Sequence, residues 1–286
     1  MSRTLAVVFD FDETLAHDST SGLIASLGLD PDHFWKHDVQ PLLDDDWDPI
    51  PAYLHTLLEH SRAHPPEQRI TAERLREHGR PIQFFSGVVT TFRELRKAVA
   101  EVDPAITVEF YLISSGIGEV LRASRIAHEF TDIWACDFAY NERGCIHAVK
   151  NVVSFTEKTR FIFQISKGLV GPEYRGKPSE VNRKIRGGRF AIPFAHMAYV
   201  GDGLTDIPCF QIVGQPRGRD GAKGFTIAVF DPRRRQKWGM TWELVESNRV
   251  DAVCTAEYGK HGSVRQLLIA WATDRARTIR DRSGPS

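Results

Sequence analysis

Two aspartates one residue apart, Asp10-Phe11-Asp12, directly follow the apolar run Leu5-Ala6-Val7-Val8-Phe9. A short run of this kind is predicted to be a strand buried on both faces. Alternation along extended chain sends both carboxylates the same way as the strand ends. One carboxylate can attack phosphorus and form an aspartyl-phosphate, the task assigned to Asp10. The other can protonate the leaving oxygen and then activate water, the task assigned to Asp12. Carboxylates this close repel, which favours protonation of one unless a cation intervenes. Thr14 is expected to secure the turn by bonding its backbone.

Three further segments carry groups that suit phosphoryl transfer. Ser114 follows Phe110-Tyr111-Leu112-Ile113. Its hydroxyl and nearby backbone N–H groups, with a helix expected to begin near Gly116, can hold a phosphate oxygen. Ser115 is the rival for that task. Lys158 opens a helical pattern (Phe161, Ile162, Ile165) and can neutralise charge on phosphate and Asp10 together, with Lys150, Lys167 and Lys177 as competitors. Gly201-Asp202-Gly203-Leu204-Thr205-Asp206 follows Ala198-Tyr199-Val200. The glycines suit a tight turn. Asp202 can ligate a hard cation, and Asp206 can hold Lys158 or a metal-bound water. Magnesium suits a site of few carboxylates, waters and substrate phosphate.

Groups scattered this widely need a scaffold that gathers strand ends. Val108–Ile113, Met197–Val200, Phe225–Phe230 and the weaker Val250–Cys254 resemble the first run. Helical periodicities separate them: Val88, Val89, Phe92, Leu95, Ala98 and Val102; Ile117, Val120, Leu121 and Ile126; Val264, Leu267, Leu268 and Trp271. Ile133–Tyr140 and Cys145–Val149 flank Asn141-Glu142-Arg143-Gly144 as a β-hairpin. The expected fold is α/β, a doubly wound and mostly parallel sheet that presents ligands at its carboxyl edge. From His17 to Phe85 the alternation stops, and leucines among helix formers and prolines predict a helical insert. The domain division is therefore 1–16 with 86–286 as catalytic core and 17–85 as the insert. Gly168 to Phe194 is predicted to be a long loop with one short helix.

With these motifs in this order, the chain resembles the haloacid dehalogenase superfamily, in its phosphoserine-phosphatase-like branch, over roughly residues 5 to 255. The resemblance implies a magnesium-dependent phosphatase acting on a small phosphorylated metabolite. It implies Asp10 as nucleophile, Asp12 as acid and base, Ser114 as phosphate-binding hydroxyl and Lys158 as phosphate-site lysine. Magnesium is implied at the Asp10 carboxylate, the Asp12 carbonyl and Asp202, with the insert as a cap. The family often has glycine where this chain has Glu13. A phosphotransferase on the same scaffold, or a non-catalytic binding protein, are the alternatives.

The 37 basic residues balance the 37 acidic ones, so no net field draws the chain to nucleic acid or a membrane surface. The four cysteines lack C-x-x-C spacing and suit reduced thiols, so a cytoplasmic location is expected, as monomer or homodimer. His33/His37 and His60/His64 are spaced as helical pairs, but neither pair has the glutamate of a zinc helix, so packing roles are expected. Arg183, Lys184, Arg186 and Arg189 are candidates for substrate or cap contact. Arg233-Arg234-Arg235 reads as a solvated charge run, and His17 and Asp18 as a hinge or a substrate contact.

Overall fold

Leu5 to Phe9 are wholly buried in the computed structural model, which describes residues 2–185, 190–217, 221–233 and 236–283. They belong to strand β1 (Thr4–Phe9), which pairs in parallel with β2 (Thr107–Ile117) on one side and β5 (Met197–Gly201) on the other. With β3 (Asp132–Tyr140), β4 (Ile146–Asn151), β6 (Phe225–Phe230) and β7 (Ala252–Thr255), the described residues form one sheet, in the order β4-β3-β2-β1-β5-β6-β7. Every neighbouring pair is parallel except β3–β4. The chain therefore has the expected α/β doubly wound architecture. β3 is more than half of a hairpin: its first residues pair in parallel with β2 and its last ones antiparallel with β4.

Helices cover the sheet because each carries an apolar stripe. On α5 (Val88–Val102), Val88, Phe92, Leu95 and Val99 are buried, and the Phe92 ring meets Phe9, Phe110 and Phe130 edge-on. The long α10 (Ser263–Ser283) packs against α5. The remaining crossovers are α6 (Gly118–Ala123), α7 (Glu157–Lys167), α8 (Ile207–Gly214) and α9 (Gln236–Glu246). Ile117 ends β2 rather than opening a helix, and Ile126 lies beyond α6. Gly168 to Phe194 carries short 3-10 turns at Pro172–Tyr174 and Pro178–Asn182 where one helix was expected.

The segment after β1 is helical, as its composition predicts. It folds as α1 (Ser19–Ser26), α2 (31–44, with a π-helical stretch at Phe34–Val39), α3 (Pro49–Ala63) and α4 (Ala72–Gly79). Aspartates cap three of the starts: Asp18, Asp30 and Asp48 accept hydrogen bonds from backbone N–H groups of the first turns. Phe34, Val39, Leu54, Leu57 and Leu75 are buried and continuous with the core of the sheet. The chain leaves and rejoins the sheet side by side: Ala16 bridges Phe84, and the Phe85 N–H donates to the Leu15 carbonyl at 2.9 Å.

Candidate active site

The strand order reverses at β1, between β2 and β5, and the crevice beyond the carboxyl ends of strands at such a switch point is where these sheets bind ligands. Asp10 sits there, 5% exposed, its N–H donating to the Val200 carbonyl of β5 at 2.9 Å. One carboxylate oxygen, Oδ1, accepts the Phe11 N–H at 2.7 Å. The other, Oδ2, lies 3.0 Å from the Lys158 ammonium.

Lys158 decides between the competing lysines. It is wholly buried in the first turn of α7 and contacts Asp10, Asp206 Oδ1 at 2.8 Å and the Thr205 hydroxyl at 3.2 Å. Burial would push its ammonium down, but Asp10 and Asp206 together hold it well above the ordinary lysine range. Asp10 moves the other way from a free carboxylate. Burial, opposed by Lys158 and reinforced by Asp206 and Asp202, raises its carboxyl well above the usual range.

Asp206 is fully buried. Oδ1 accepts from Lys158 and from the Tyr199 hydroxyl at 2.7 Å; Oδ2 accepts the N–H groups of Asp202 at 3.1 Å and Gly203 at 3.2 Å. Four donors occupy its lone pairs. Of the two tasks foreseen for Asp206, holding Lys158 is the one the geometry displays. Tyr199 escaped the sequence reading because, inside a buried strand, it is indistinguishable from a core aromatic; its hydroxyl is the polar tip that needs a partner. Gly201 is required for space rather than for turning. A Cβ there would stand 2.4 Å from the Asp206 carboxyl carbon. Gly201→Ala is therefore expected to push Asp206 off Lys158 and cost about 3 kcal/mol of stability, measured by urea unfolding.

On the opposite flank, Asp12 Oδ1 accepts the Ser19 N–H, the first residue of α1, at 2.7 Å. Burial, then the neighbouring Asp18 carboxylate, raise the Asp12 carboxyl to about 7, so a protonated fraction persists at neutral pH. Ser114 is wholly buried, and its Oγ accepts the Gly116 N–H at 3.0 Å. Contrary to expectation, β2 runs on to Ile117, and the Gly116 N–H is spent on Ser114 instead of facing a ligand. Because that Oγ accepts from Gly116, its own proton is available to an acceptor. A Cβ at Gly116 would lie 3.1 Å from Asp12 Oδ2 and 3.3 Å from Ser114 Oγ, which places both groups beside Gly116. Ser115 is distinguished by its carbonyl, which accepts the Tyr53 hydroxyl of α3 at 2.6 Å. Thr14 differs from expectation: its hydroxyl has no hydrogen-bond partner among the described residues. The turn is held by backbone bonds from Thr14, Leu15 and Ala16 N–H to the Phe11 carbonyl, and the Thr14 carbonyl accepts the Tyr258 hydroxyl at 2.9 Å.

Tyr53 pins the helical insert to the end of β2 and was not singled out by spacing, since a lone tyrosine on an apolar helix face reads as core. Tyr53→Phe is expected to lower stability by about 1 kcal/mol and to speed amide exchange in α3, measured by hydrogen exchange.

Glu13 has φ 58°, the conformation glycine favours. Its Oε1 accepts the Asp18 N–H at 3.1 Å, so its side chain holds the linker to the insert in return. His17 lies 3.4 Å from Asp231, which follows β6, and contacts Arg233 and the Phe85 ring. Arg183 pairs with Glu180 at 2.8 Å on the surface. Arg186, Arg189, Arg234 and Arg235 lie outside the described residues.

Oxygens of Asp10, Asp202 and Asp206 lie within 4.8 Å of one another. Against these three carboxylates stands one buried ammonium, that of Lys158, among the described residues that touch Asp10 and Asp206. With Asp206 saturated by its donors, Asp10 and Asp202 are the carboxylates suited to a hard divalent cation such as magnesium. The donor set fits that ion.

The sheet order and the helical insert after β1 give a fold similar to that of solved HAD family hydrolases and phosphoserine phosphatases. A HAD family hydrolase from Salmonella enterica serovar Typhi superposes with a TM-score of 0.57 at 12% identity, covering 94% of this chain and 71% of that one. A phosphoserine phosphatase in apo form superposes with a TM-score of 0.56 at 13% identity, covering 93% and 98%. A phospho-aspartyl intermediate analogue of phosphoserine phosphatase gives a TM-score of 0.53 at 13% identity, covering 93% and 97%. No protein-family model matches the chain. A Borreliella burgdorferi protein described as uncharacterized is 24% identical over 230 residues, 73% of this chain and 78% of its own length.

Proposed function

We propose that this chain is a magnesium-dependent phosphatase that hydrolyses a small phosphorylated metabolite through an aspartyl-phosphate on Asp10. The observation that carries the reading is the buried Asp10–Lys158–Asp206 bridge, with Asp12 and Ser114 meeting at Gly116 on the other flank. An acyl-phosphate route needs a nucleophilic carboxylate whose charge is offset while a phosphate dianion approaches, and Lys158 provides that offset.

In this reading Asp10 Oδ attacks phosphorus, and the bond from phosphorus to the ester oxygen breaks. Asp12 delivers its proton to that oxygen, so the alcohol leaves neutral. Asp12, now a carboxylate, takes a proton from water as the water attacks the aspartyl-phosphate; inorganic phosphate departs and Asp10 is restored. Ser114 donates its hydroxyl proton to a phosphate oxygen, and Lys158, oriented by Asp206, faces the charge that develops. Asp10, the Asp12 carbonyl and Asp202 would hold magnesium, which supplies charge neutralisation when bound. Residues 17–85 act as a cap over a core of 1–16 and 86–286, closing to exclude water and opening to release product. The nearly complete burial of Asp10 and the links from Ser19 and Tyr53 to the core suit the closed form. The described cysteines are free thiols, which agrees with a cytoplasmic location. Among the described residues, no helix is long and apolar enough to cross a membrane.

The test is turnover of a generic aryl phosphate and of acetyl phosphate with magnesium and with chelator. Magnesium-dependent phosphate release is expected. Its absence for both compounds would overturn the reading, and phosphate passed to an added alcohol instead of water would identify a phosphotransferase.

A further inference from the structure

Beside the candidate phosphate site lies a cavity of about 320 Å³, lined by Phe155, Asp202, Leu204, Thr205, Thr241 and Leu244 together with the Gly203 backbone. It shares two residues with the chemistry. Asp202 is a candidate metal ligand, and the Thr205 hydroxyl accepts from Lys158 at 3.2 Å. Lys158 in turn lies 3.0 Å from the Asp10 carboxylate. The cavity wall is thus one side chain removed from the ammonium that would face phosphate.

The rest of the lining is apolar in character. Phe155, Leu204 and Leu244 supply carbon surface, and the two threonines supply methyl groups and one hydroxyl each. Among the described lining residues, Asp202 is the one ionisable group. Leu204, on that lining, stands 56% exposed, so its side chain is open to a group that enters the cavity.

We infer that this cavity receives the organic group of the substrate, and that the group is uncharged and apolar: an aryl or branched alkyl phosphate ester. The inference deepens the phosphatase reading above and rests on it. The volume admits a ring system, at the small end of ligand pockets. A carboxylate in the cavity would meet carbon surface and two threonines, with no cationic side chain among the described lining residues, so an amino-acid phosphate such as phosphoserine is disfavoured. Selectivity arises because an apolar wall rejects a charge far more strongly than it distinguishes one methylene from another.

The experiment compares kcat/KM for 1-naphthyl phosphate, O-phosphoserine and acetyl phosphate with magnesium present, in the full chain and in Leu204→Ala and Leu244→Ala. In parallel, calorimetry compares the affinities of phenylphosphonate and methylphosphonate. The native chain is expected to favour 1-naphthyl phosphate over phosphoserine at least tenfold and phenylphosphonate over methylphosphonate about tenfold. In Leu204→Ala, whose exposed position spares the fold, both the naphthyl-to-acetyl ratio and the phosphonate ratio should fall severalfold; Leu244→Ala should reproduce this if it folds. Equal use of naphthyl phosphate and phosphoserine, or ratios unmoved in Leu204→Ala, would overturn the cavity assignment while acetyl phosphate turnover leaves the phosphatase reading standing. No turnover of any of the three would overturn the phosphatase reading itself.

Discussion

Asp10→Asn is expected to abolish phosphatase turnover, by about 10⁴-fold or more in kcat, with the fold retained. The amide is isosteric, so Phe11 keeps an acceptor for its N–H, the bond now made to Asp10 Oδ1 at 2.7 Å. What is lost is the nucleophile: an amide oxygen does not form a stable acyl-phosphate. Burial already raises the Asp10 carboxyl well above the usual carboxylate range, so deleting its charge removes a group that is costly to ionise. Lys158 keeps its 2.8 Å contact with Asp206. Stability should therefore change by no more than about 1 kcal/mol, because a desolvated charge is removed together with one of two partners. Steady-state turnover and thermal unfolding of the same preparation separate the two effects. Full activity in Asp10→Asn would remove Asp10 from the chemistry.

Lys158→Met should affect both catalysis and folding. The methionine fills much of the lysine's volume but leaves Asp206 without its cation in a wholly buried position. Breaking such a pair by removing one member costs about 3–5 kcal/mol, lessened here to about 3 because Tyr199 and two backbone N–H groups still donate to Asp206. Turnover should fall by about 10³-fold, since the charge developing on phosphate loses its opposing ammonium. A double-mutant cycle with Asp206→Asn tests the coupling. The two substitutions together should destabilise by at least 1 kcal/mol less than the sum of the singles. Strict additivity would mean that the 2.8 Å contact contributes nothing.

Much of the sheet was legible because its signal is local. The runs at β1, β2, β5 and β6 are short and mostly apolar, with Glu109 and Thr226 as the polar exceptions, and each lies within a few residues of where the sequence places it. The hairpin around Gly144 was legible for the same reason, through turn residues between two β-prone runs. The extension of β2 through Ser114 and Ser115 to Ile117 was not, because polar residues followed by glycine look like a strand end when the burial that neighbouring elements impose is unseen. Glu13 shows the limit differently. Its positive φ contradicts local preference and is explained by the backbone of Asp18, which its side chain reaches.

The sequence by itself placed Asp10, Asp12, Asp202 and Asp206 just beyond apolar strand runs and Lys158 at the start of a helical pattern. Tertiary structure decided what each group faces. It chose Lys158 among the lysines by burying it between two carboxylates, and it committed Asp206 to that lysine by surrounding it with four donors. It also brought in Tyr53, Tyr199 and Ser19, which carry no motif. The physical reason is range. Strand formation depends on residues within a few positions of one another, whereas charge pairing, desolvation and the saturation of lone pairs depend on groups far apart in the chain, such as Asp10 and Asp206, 196 residues apart.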